Sequence, residues 1–195
     1  MSIAVRSLSG EDLRAALDDL ARLRIAVFAD FPYLYDGSAE YEREYLAEFT
    51  QAEGAVLVAA FDGARIVGAA TASPLAAQDG YIREPFERVG IDAADVFYFG
   101  ESVLLADYRG QGIGHAFFDR REAAARHWGA GKAAFCAVVR PADHPARPAD
   151  YTPLDAFWRG RGYAPVPGLT GEFSWQEHGE AQESPKPMQY WMRDL

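Results

Sequence analysis

The stretch that decides the fold is Arg109-Gly110-Gln111-Gly112-Ile113-Gly114, which lies between an apolar run, Val96 to Ala106, and a helical pattern. A strand, a glycine-rich turn and a helix in this order form a binding site for an anion. Glycine lets backbone N–H groups approach a phosphate without a Cβ in the way. The start of the helix adds unpaired N–H donors and the positive end of the helix dipole. This stretch therefore predicts a site that holds a pyrophosphate.

Two common phosphate-binding motifs do not fit these residues. A dinucleotide-binding fingerprint needs a third glycine at position 115 or 117, where the chain has His115 and Phe117. A P-loop needs Gly-Lys followed by Ser or Thr, and the sequence has no such triplet. A glycine-rich turn with a purely structural role is the alternative interpretation.

The stretch from Arg109 to Gly114 resembles the coenzyme A turn of the GCN5-related N-acetyltransferases (GNAT), whose pattern is [Gln/Arg]-x-x-Gly-x-[Gly/Ala] after a strand. Residues 156–163, Ala-Phe-Trp-Arg-Gly-Arg-Gly-Tyr, are similar to a second motif of that family, Phe-Tyr-x-x-x-Gly-Phe. The resemblance implies acetyl-CoA as co-substrate. It also implies two groups of cofactor-binding residues, one on the strand for the acyl-pantetheine arm and one on the turn for the pyrophosphate. They are Val103, Leu104 and Leu105 on the strand, and Arg109, Gly110, Gln111, Gly112, Ile113, Gly114 and His115 on the turn.

The order of the predicted elements indicates a mixed α/β fold. Hydrophobic spacing and turn signals give the order βααβββαβαβ, with a first helix over 13–27 and a final strand over 186–193. No repeat or linker divides the chain, so we expect a single domain over 1–195. By resemblance it is a GNAT-like domain with a central twisted mixed sheet flanked by helices. In that family, strands four and five splay apart, and the acyl-pantetheine arm lies between them.

Composition restricts the classes of partner. The formal net charge of −10 disfavours nucleic acid and anionic membranes. We expect the helix after the turn to reverse the charge locally through Arg109, Arg120, Arg121 and Arg126. A single cysteine, Cys136, excludes an intramolecular disulfide, and the histidines lack a ligand spacing, so we predict no metal site. The sequence shows neither a signal-peptide pattern nor a membrane-spanning run, which predicts a cytoplasmic protein.

Glu101 is the predicted catalytic base. It is a carboxylate in an otherwise apolar strand, where an unpaired charge is costly to bury, so it needs a partner or a function. GNAT proteins often carry an acidic residue at this place, which contacts the acceptor amine. The alternatives are a structural pair with an arginine and exposure to solvent.

The sequence departs from the GNAT pattern at the proton donor to the leaving thiolate. In the second GNAT motif a tyrosine often has this role, but the corresponding residue here is Trp158, whose indole is no practical proton source. Tyr151 is the first substitute and Tyr98 the second. The alternative for Tyr151 is packing within a proline-rich loop.

An aromatic group is predicted to line the acceptor site. Phe31, Tyr33 and Tyr35 precede the second helix, Asp36 lies at their edge, and Tyr98 lies on the central strand. Aromatic rings suit a cationic or ring-bearing amine, although the same residues can simply be core.

The predicted function is acetyl transfer from acetyl-CoA to a primary amine of a small molecule, by direct attack in a ternary complex. One alternative is a non-catalytic acyl-CoA-binding module, which the missing tyrosine at Trp158 suggests. Another is a protein acetyltransferase that acts on lysine or N-terminal amines. The sequence is compatible with a homodimer and does not decide the oligomeric state.

Overall fold

The computed structural model describes residues 3–195, and within this range seven β-strands form one mixed sheet. The strands are β1 (Ala4–Leu8), β2 (Val56–Asp62), β3 (Arg65–Pro74), β4 (Val96–Leu104), β5 (Lys132–Val138), β6 (Ala164–Trp175) and β7 (Ser184–Asp194). Their order across the sheet is β1-β2-β3-β4-β5-β7-β6. β4 and β5 run parallel, and the other neighbouring strands run antiparallel. The predicted mixed α/β fold is confirmed.

Helices cover both faces of this sheet. They are α1 (Gly10–Ala15), α2 (Leu17–Phe28), α3 (Ala39–Phe49), α4 (Gly80–Arg88), α5 (Ile113–Trp128) and α6 (Asp155–Gly160). On one face, α2 and α3 pack against the sheet through Leu20, Leu23 and Leu46. On the other face, α5 packs through Phe117 and Phe118. The Arg109–Gly114 turn therefore enters the α5 face, while the segment that holds the predicted acceptor residues follows α2.

Two sequence predictions of secondary structure were wrong. The helix expected over 13–27 is divided at Ala16, whose backbone (φ −91°, ψ −2°) lies at the edge of the helical region and separates α1 from α2. The strand β6 was not predicted, because prolines and glycines interrupt its sequence. β6 lies at the edge of the sheet, where the N–H that a proline lacks can be one that would have no neighbouring strand to bond. Its register with β7 also shifts between Pro165 and Thr170.

β4 and β5 separate after a short paired segment. Their register joins Val96, Phe97 and Tyr98 of β4 to Lys132, Ala133 and Ala134 of β5. Beyond Tyr98, β4 continues alongside β3, whereas β5 continues alongside β7. The two strands thus diverge in the middle of the sheet, as the predicted splay requires.

A β-bulge lies where this separation begins. Ala72 pairs with Phe99 and Ala70 pairs with Ser102, so that Thr71 alone faces two residues of β4, Gly100 and Glu101. An extra residue reverses the alternation of side chains beyond it. Phe99 packs with α5 residues, whereas Glu101 and Val103 contact the α2 side. The bulge therefore turns the Glu101 carboxylate toward α2 instead of α5.

Candidate functional site

The Arg109–Gly114 turn has the geometry of an anion site. Gly110 (φ 74°) and Gly112 (φ 80°) both adopt the left-handed conformation that favours glycine, and a Cβ at either would meet no atom within 4 Å. Helix α5 begins at Ile113, directly after them. Ala116 N–H makes the first intrahelical bond, to Gly112 O at 3.2 Å. The preceding N–H groups of this helix turn are therefore available to a ligand, since an α-helix leaves its first donors unpaired.

Side chains around the turn stabilise its conformation. Arg109 Nε donates to Leu104 O (3.3 Å), and Gln111 Nε2 donates to Asp107 O (3.2 Å). The Leu105 N–H donates to Val67 O (3.1 Å), so this N–H is directed to β3. His115 lies beside Phe157, with ring centroids 4.9 Å apart. The turn is thus anchored to the end of β4 by its own side chains.

Arg121 is not part of the positive surface that the sequence suggested. Only 1% of it is exposed, because it lies on the inner side of α5 beneath the bulge. Its Nη1 donates to Thr71 O (3.3 Å) and to Glu101 O (3.5 Å), the carbonyl groups on either side of the bulge. Its guanidinium lies over the Phe99 ring at 4.5 Å. Burial lowers the pKa of Arg121 to about 10, so it stays charged at neutral pH.

Glu101 belongs to a buried ion-pair cluster with Arg24 of α2 and Glu42 of α3. Arg24 Nη1 lies 2.8 Å from Glu101 Oε2, and Arg24 Nε pairs with Glu42 Oε2. The side chains of Arg24, Glu42 and Glu101 are 11%, 0% and 5% exposed. Burial opposes the charge on Arg24, but Glu101, Tyr45 and Glu42 together raise the pKa of this guanidinium. The structural pair that the sequence left as an alternative for Glu101 therefore exists.

The two carboxylates differ in how completely they are bonded. Glu42 Oε1 accepts a hydrogen bond from Tyr35 OH (2.9 Å), so both of its oxygens have partners. Glu101 Oε1 is buried and accepts no hydrogen bond within residues 3–195. A buried acceptor without a donor is unfavourable by about 1–3 kcal/mol. Within the described residues, this oxygen is therefore the one carboxylate oxygen of the cluster that lacks a donor.

A narrow cleft opens beside the bulge on the α2–α3 side. Tyr45 and Phe49 of α3 form one wall, and Thr71, Tyr98 and Gly100 of the sheet form the other. The Tyr45 ring also lies beneath the Arg24 guanidinium, 4.5 Å from the ring centroid. Tyr45 thus connects the cleft to the ion-pair cluster, and sequence reasoning missed it.

The predicted acceptor residues are distributed over two places. Tyr35 reaches the cluster through Glu42, and Tyr98 lies at the cleft, where its hydroxyl is 3.1 Å from Cys136 Sγ. Phe31 instead packs edge-on against Tyr151, with centroids 4.7 Å apart. Tyr33 packs on Phe28 and Trp175.

Trp158 and Tyr151 have different surroundings. The Trp158 ring packs against Phe135 (5.0 Å) and Trp191 (5.1 Å), so it is part of the core on the α5 side. Tyr151 lies in the loop between β5 and α6, under the Arg147 guanidinium. Burial raises the pKa of the Tyr151 phenol.

Arg24 and Glu42 were also missed, although the sequence carries a signal for both. Arg24 lies four residues after Leu20 and three before Val27, on the apolar stripe of α2. Glu42 is four residues before Leu46 on the corresponding stripe of α3. A charged residue inside an apolar stripe indicates a buried partner.

The described part of the chain contains neither a metal-binding cluster nor a membrane-spanning helix. Residues 3–195 contain no group of three or more His, Cys, Asp or Glu side chains placed to hold a metal ion. None of the helices in this range has the length and apolarity that crossing a membrane requires.

An anion turn at a helix start, two diverging parallel strands and a carboxylate near the point of divergence are the features that the resemblance to the GNAT acetyltransferases implied. The sequence model of the "Acetyltransferase (GNAT) family" matches residues 20–149. The chain therefore belongs to the GNAT family of acetyltransferases. No curated protein matches the sequence.

Solved structures share the fold at low sequence identity. A ribosomal-protein-alanine N-acetyltransferase from Brucella melitensis is 14% identical with a TM-score of 0.63, and the alignment covers 98% of this chain and 99% of that one. A putative acetyltransferase from Acinetobacter baylyi is 14% identical with a TM-score of 0.64, over 100% and 93% of the two chains. The putative acetyltransferase yncA from Salmonella typhimurium, solved with its cofactor acetyl-CoA, is 10% identical with a TM-score of 0.61, over 100% and 95%. At such identities the likeness shows the fold alone.

Proposed function

We propose that this chain transfers the acetyl group of acetyl-CoA to the primary amine of a small-molecule acceptor, by direct attack in a ternary complex within a single domain. The observation that carries the proposal is the bulge at Gly100–Glu101. Here β4 leaves β5, and the buried Glu101 carboxylate keeps one oxygen that has no donor within residues 3–195. We propose that the acyl-pantetheine arm lies in the gap between β4 and β5 and that the acceptor amine binds next to Glu101.

Backbone groups would hold the cofactor at its pyrophosphate and along its acyl-pantetheine arm. The N–H groups from Gln111 to His115 suit the pyrophosphate, since they combine a glycine turn with a helix start. Backbone groups of Val103 and Leu104, with Leu105, lie along the diverging part of β4 and its end. Acetyl-CoA supplies an activated thioester, so the protein's main contribution would be orientation of the two reactants.

Glu101 would bind the acceptor amine through Oε1 and take its proton. The amine nitrogen attacks the thioester carbonyl carbon, a C–N bond forms, and the C–S bond breaks. One amine proton passes to the Glu101 carboxylate, directly or through water, and the thiolate acquires a proton. Tyr151 is the proposed source of that proton, because a tyrosine hydroxyl can donate a proton whereas the indole of Trp158 is no practical proton source. Phe31, Tyr33, Tyr35 and Tyr98 are proposed to border the acceptor.

Calorimetric titration with acetyl-CoA and with free CoA tests the cofactor site. We expect both ligands to bind the wild-type chain, and Gly112→Asp to weaken both at least about tenfold, or 1.4 kcal/mol, because it places a carboxylate against the phosphates. Gly90→Asp is the matched control, since Gly90 has a similar φ of 77° and an equally open environment. Unchanged affinity in Gly112→Asp would refute the phosphate assignment.

Thiol release in the presence of amines tests catalysis. Glu101→Gln should lower kcat/KM for the acceptor, most strongly at low pH, where the amine most needs a base. Cofactor binding without thiol release to any amine would favour the non-catalytic module that Trp158 suggests. Release to lysine or N-terminal amines of proteins, and to no small amine, would favour the protein acetyltransferase.

A further inference from the structure

The gap between β4 and β5 has one open end and one closed end. The two strands run parallel, and the last residues that pair them are Tyr98 and Ala134. Beyond this pair the strands separate toward their C-terminal ends, and the Arg109–Gly114 turn follows that end of β4. A linear ligand whose phosphates occupy the turn would therefore enter at the open end, with its far end directed toward Tyr98.

Side chains close the narrow end on the face of the sheet opposite α5. The Tyr98 hydroxyl lies 3.1 Å from Cys136 Sγ, so a side-chain contact joins β4 to β5 just beyond their last backbone pair. Tyr190 pairs with Cys136 in the register of β5 and β7, and its ring lies 6.5 Å from that of Tyr98. All three belong to one buried cluster, so a chain on this face would have to displace the Tyr98 ring.

A third ring closes the same end on the α5 face. Phe99 of β4 and Phe135 of β5 lie on this face, and Tyr163 packs against both, with ring centroids 6.3 and 5.2 Å away. All three residues are buried. Aromatic side chains therefore fill the closed end of the gap from both faces of the sheet.

The cleft beside the bulge adds little room at this end. Tyr98, Gly100 and Thr71 are among the residues that line it, and its volume of about 10 Å³ is space for about one water molecule. Burial raises the pKa of the Cys136 thiol to about 12, so this group is uncharged at neutral pH. The closed end therefore selects by size and not by charge.

The length of the gap can be compared with that of the acyl-pantetheine arm. From Leu104 back to Tyr98, β4 covers about 20 Å at the rise of an extended strand. The arm from phosphate oxygen to sulfur has the bonds of about four peptide residues, so it spans at most about 14 Å, and an acetyl group adds roughly 3 Å. A decanoyl group extends about 9 Å further than acetyl. The acetyl group thus ends before Tyr98, whereas a decanoyl chain would meet the closed end.

We propose that the chain takes short acyl-CoA donors and that Tyr98, through its contact with Cys136, sets the upper limit of acyl length. This inference rests on the proposed acetyl transfer and specifies its donor. Tyr98 would then border the end of the acyl group as well as the acceptor. Burial strengthens binding about fourfold for each methylene, so an open gap would bind longer thioesters more tightly, and the closed end predicts the opposite order.

Calorimetric titration with acetyl-CoA, decanoyl-CoA and free CoA tests the inference without an acceptor. We expect decanoyl-CoA to bind the wild-type chain at least about tenfold more weakly than acetyl-CoA. Repeating the titration with excess free CoA corrects for binding of the acyl chain elsewhere on the protein. Binding of decanoyl-CoA as tight as that of acetyl-CoA, or tighter, would overturn the proposed limit.

Variants attribute the limit to Tyr98. Tyr98→Ala should bring the ratio of the two dissociation constants to one or reverse it, whereas Tyr98→Phe keeps the ring and should keep the ratio. Phe86→Ala is the matched control and should also keep it, since Phe86 belongs to the same buried cluster but lies on α4 and packs on Tyr190 at 4.9 Å. If Tyr98→Ala does not fold and loses free CoA, Tyr98→Leu decides by the same ratio. An unchanged ratio in a variant that still binds free CoA would refute the assignment.

Failure of the inference can be distinguished from failure of the proposed function. Tight binding of decanoyl-CoA to the wild-type chain would overturn the limit on acyl length while acetyl transfer stands. The expected preference for acetyl-CoA without thiol release to any amine would support the limit and overturn catalysis. Binding of neither acetyl-CoA nor free CoA would overturn both.

Discussion

Removal of the Arg24 charge should strongly destabilise the fold, because Arg24 is the common counterion of two buried carboxylates. In Arg24→Met, Glu42 and Glu101 lose their cationic partner at sites with 0% and 5% exposed side chains. The methionine stem keeps much of the packing against Phe28 and Tyr45, so the change mainly removes charge. The variant therefore measures what the buried charge contributes.

The expected magnitude follows from the burial of the cluster. Breaking a buried ion pair by removing one partner costs about 3–5 kcal/mol, since an uncompensated charge remains. For a domain of 150–250 residues, 1 kcal/mol shifts Tm by about 2–4 °C, so the loss of Arg24 should lower Tm by roughly 6–20 °C. The second replacement in Arg24→Met/Glu42→Gln removes one of the two stranded charges, and it should restore part of this loss.

Urea unfolding at neutral pH, followed by circular dichroism, measures the free energy of unfolding of each variant. Glu87→Gln is the control, because Glu87 is an exposed carboxylate of α4 that pairs with Arg83. An exposed helix pair contributes about 0.3–0.5 kcal/mol, so the control should stay close to wild type. A loss below about 1 kcal/mol in Arg24→Met would refute the argument, since it would mean that water screens the cluster.

Two further predictions concern the bulge and the β6–β7 turn. Arg121→Met should lower the free energy of unfolding by roughly 2–5 kcal/mol, because the carbonyls of Thr71 and Glu101 lose their donor. Urea unfolding measures this change. The control is Arg126→Met at an exposed position of the same helix, whose free energy of unfolding should stay within about 0.5 kcal/mol of wild type. Hydrogen bonds from Glu177 N–H, Ser184 and Lys186 lower the pKa of Glu180 from 4.5 to about 2. The ionised Glu180 therefore stabilises the fold fully above pH 4.5, and this stabilisation is lost as the pH falls toward 2. We expect the Tm difference between wild type and Glu180→Gln to shrink over this range. A difference that stays constant would contradict the assignment.

The parts of the site that depend on local sequence could be predicted. The Arg109–Gly114 turn was found from its glycines, because a left-handed backbone at Gly110 and Gly112 is a property of those residues themselves. The helix after it follows from hydrophobic spacing within one segment.

The parts that depend on strand register could not be predicted. The bulge exists because Thr71 faces both Gly100 and Glu101, and this pairing joins residues about thirty positions apart in the sequence. Alternation along β4 alone would have placed Glu101 on the same face as Phe99. The edge strand β6 was missed for a related reason, since its prolines are acceptable only where no further strand pairs.

The bulge connects the two faces of the sheet in one physical arrangement. From the α5 side, Arg121 donates to the Thr71 carbonyl of β3 and to the Glu101 carbonyl of β4. From the α2 side, Arg24 binds the carboxylate that the bulge has turned over. Two buried arginines on opposite faces of the sheet thus stabilise the bulge in β4. Because contacts from both faces hold the bulge, the surrounding fold fixes its backbone conformation. Because β4 leaves β5 at this point, the position of Glu101 and the width of the gap are set together, and a change at either arginine should affect both.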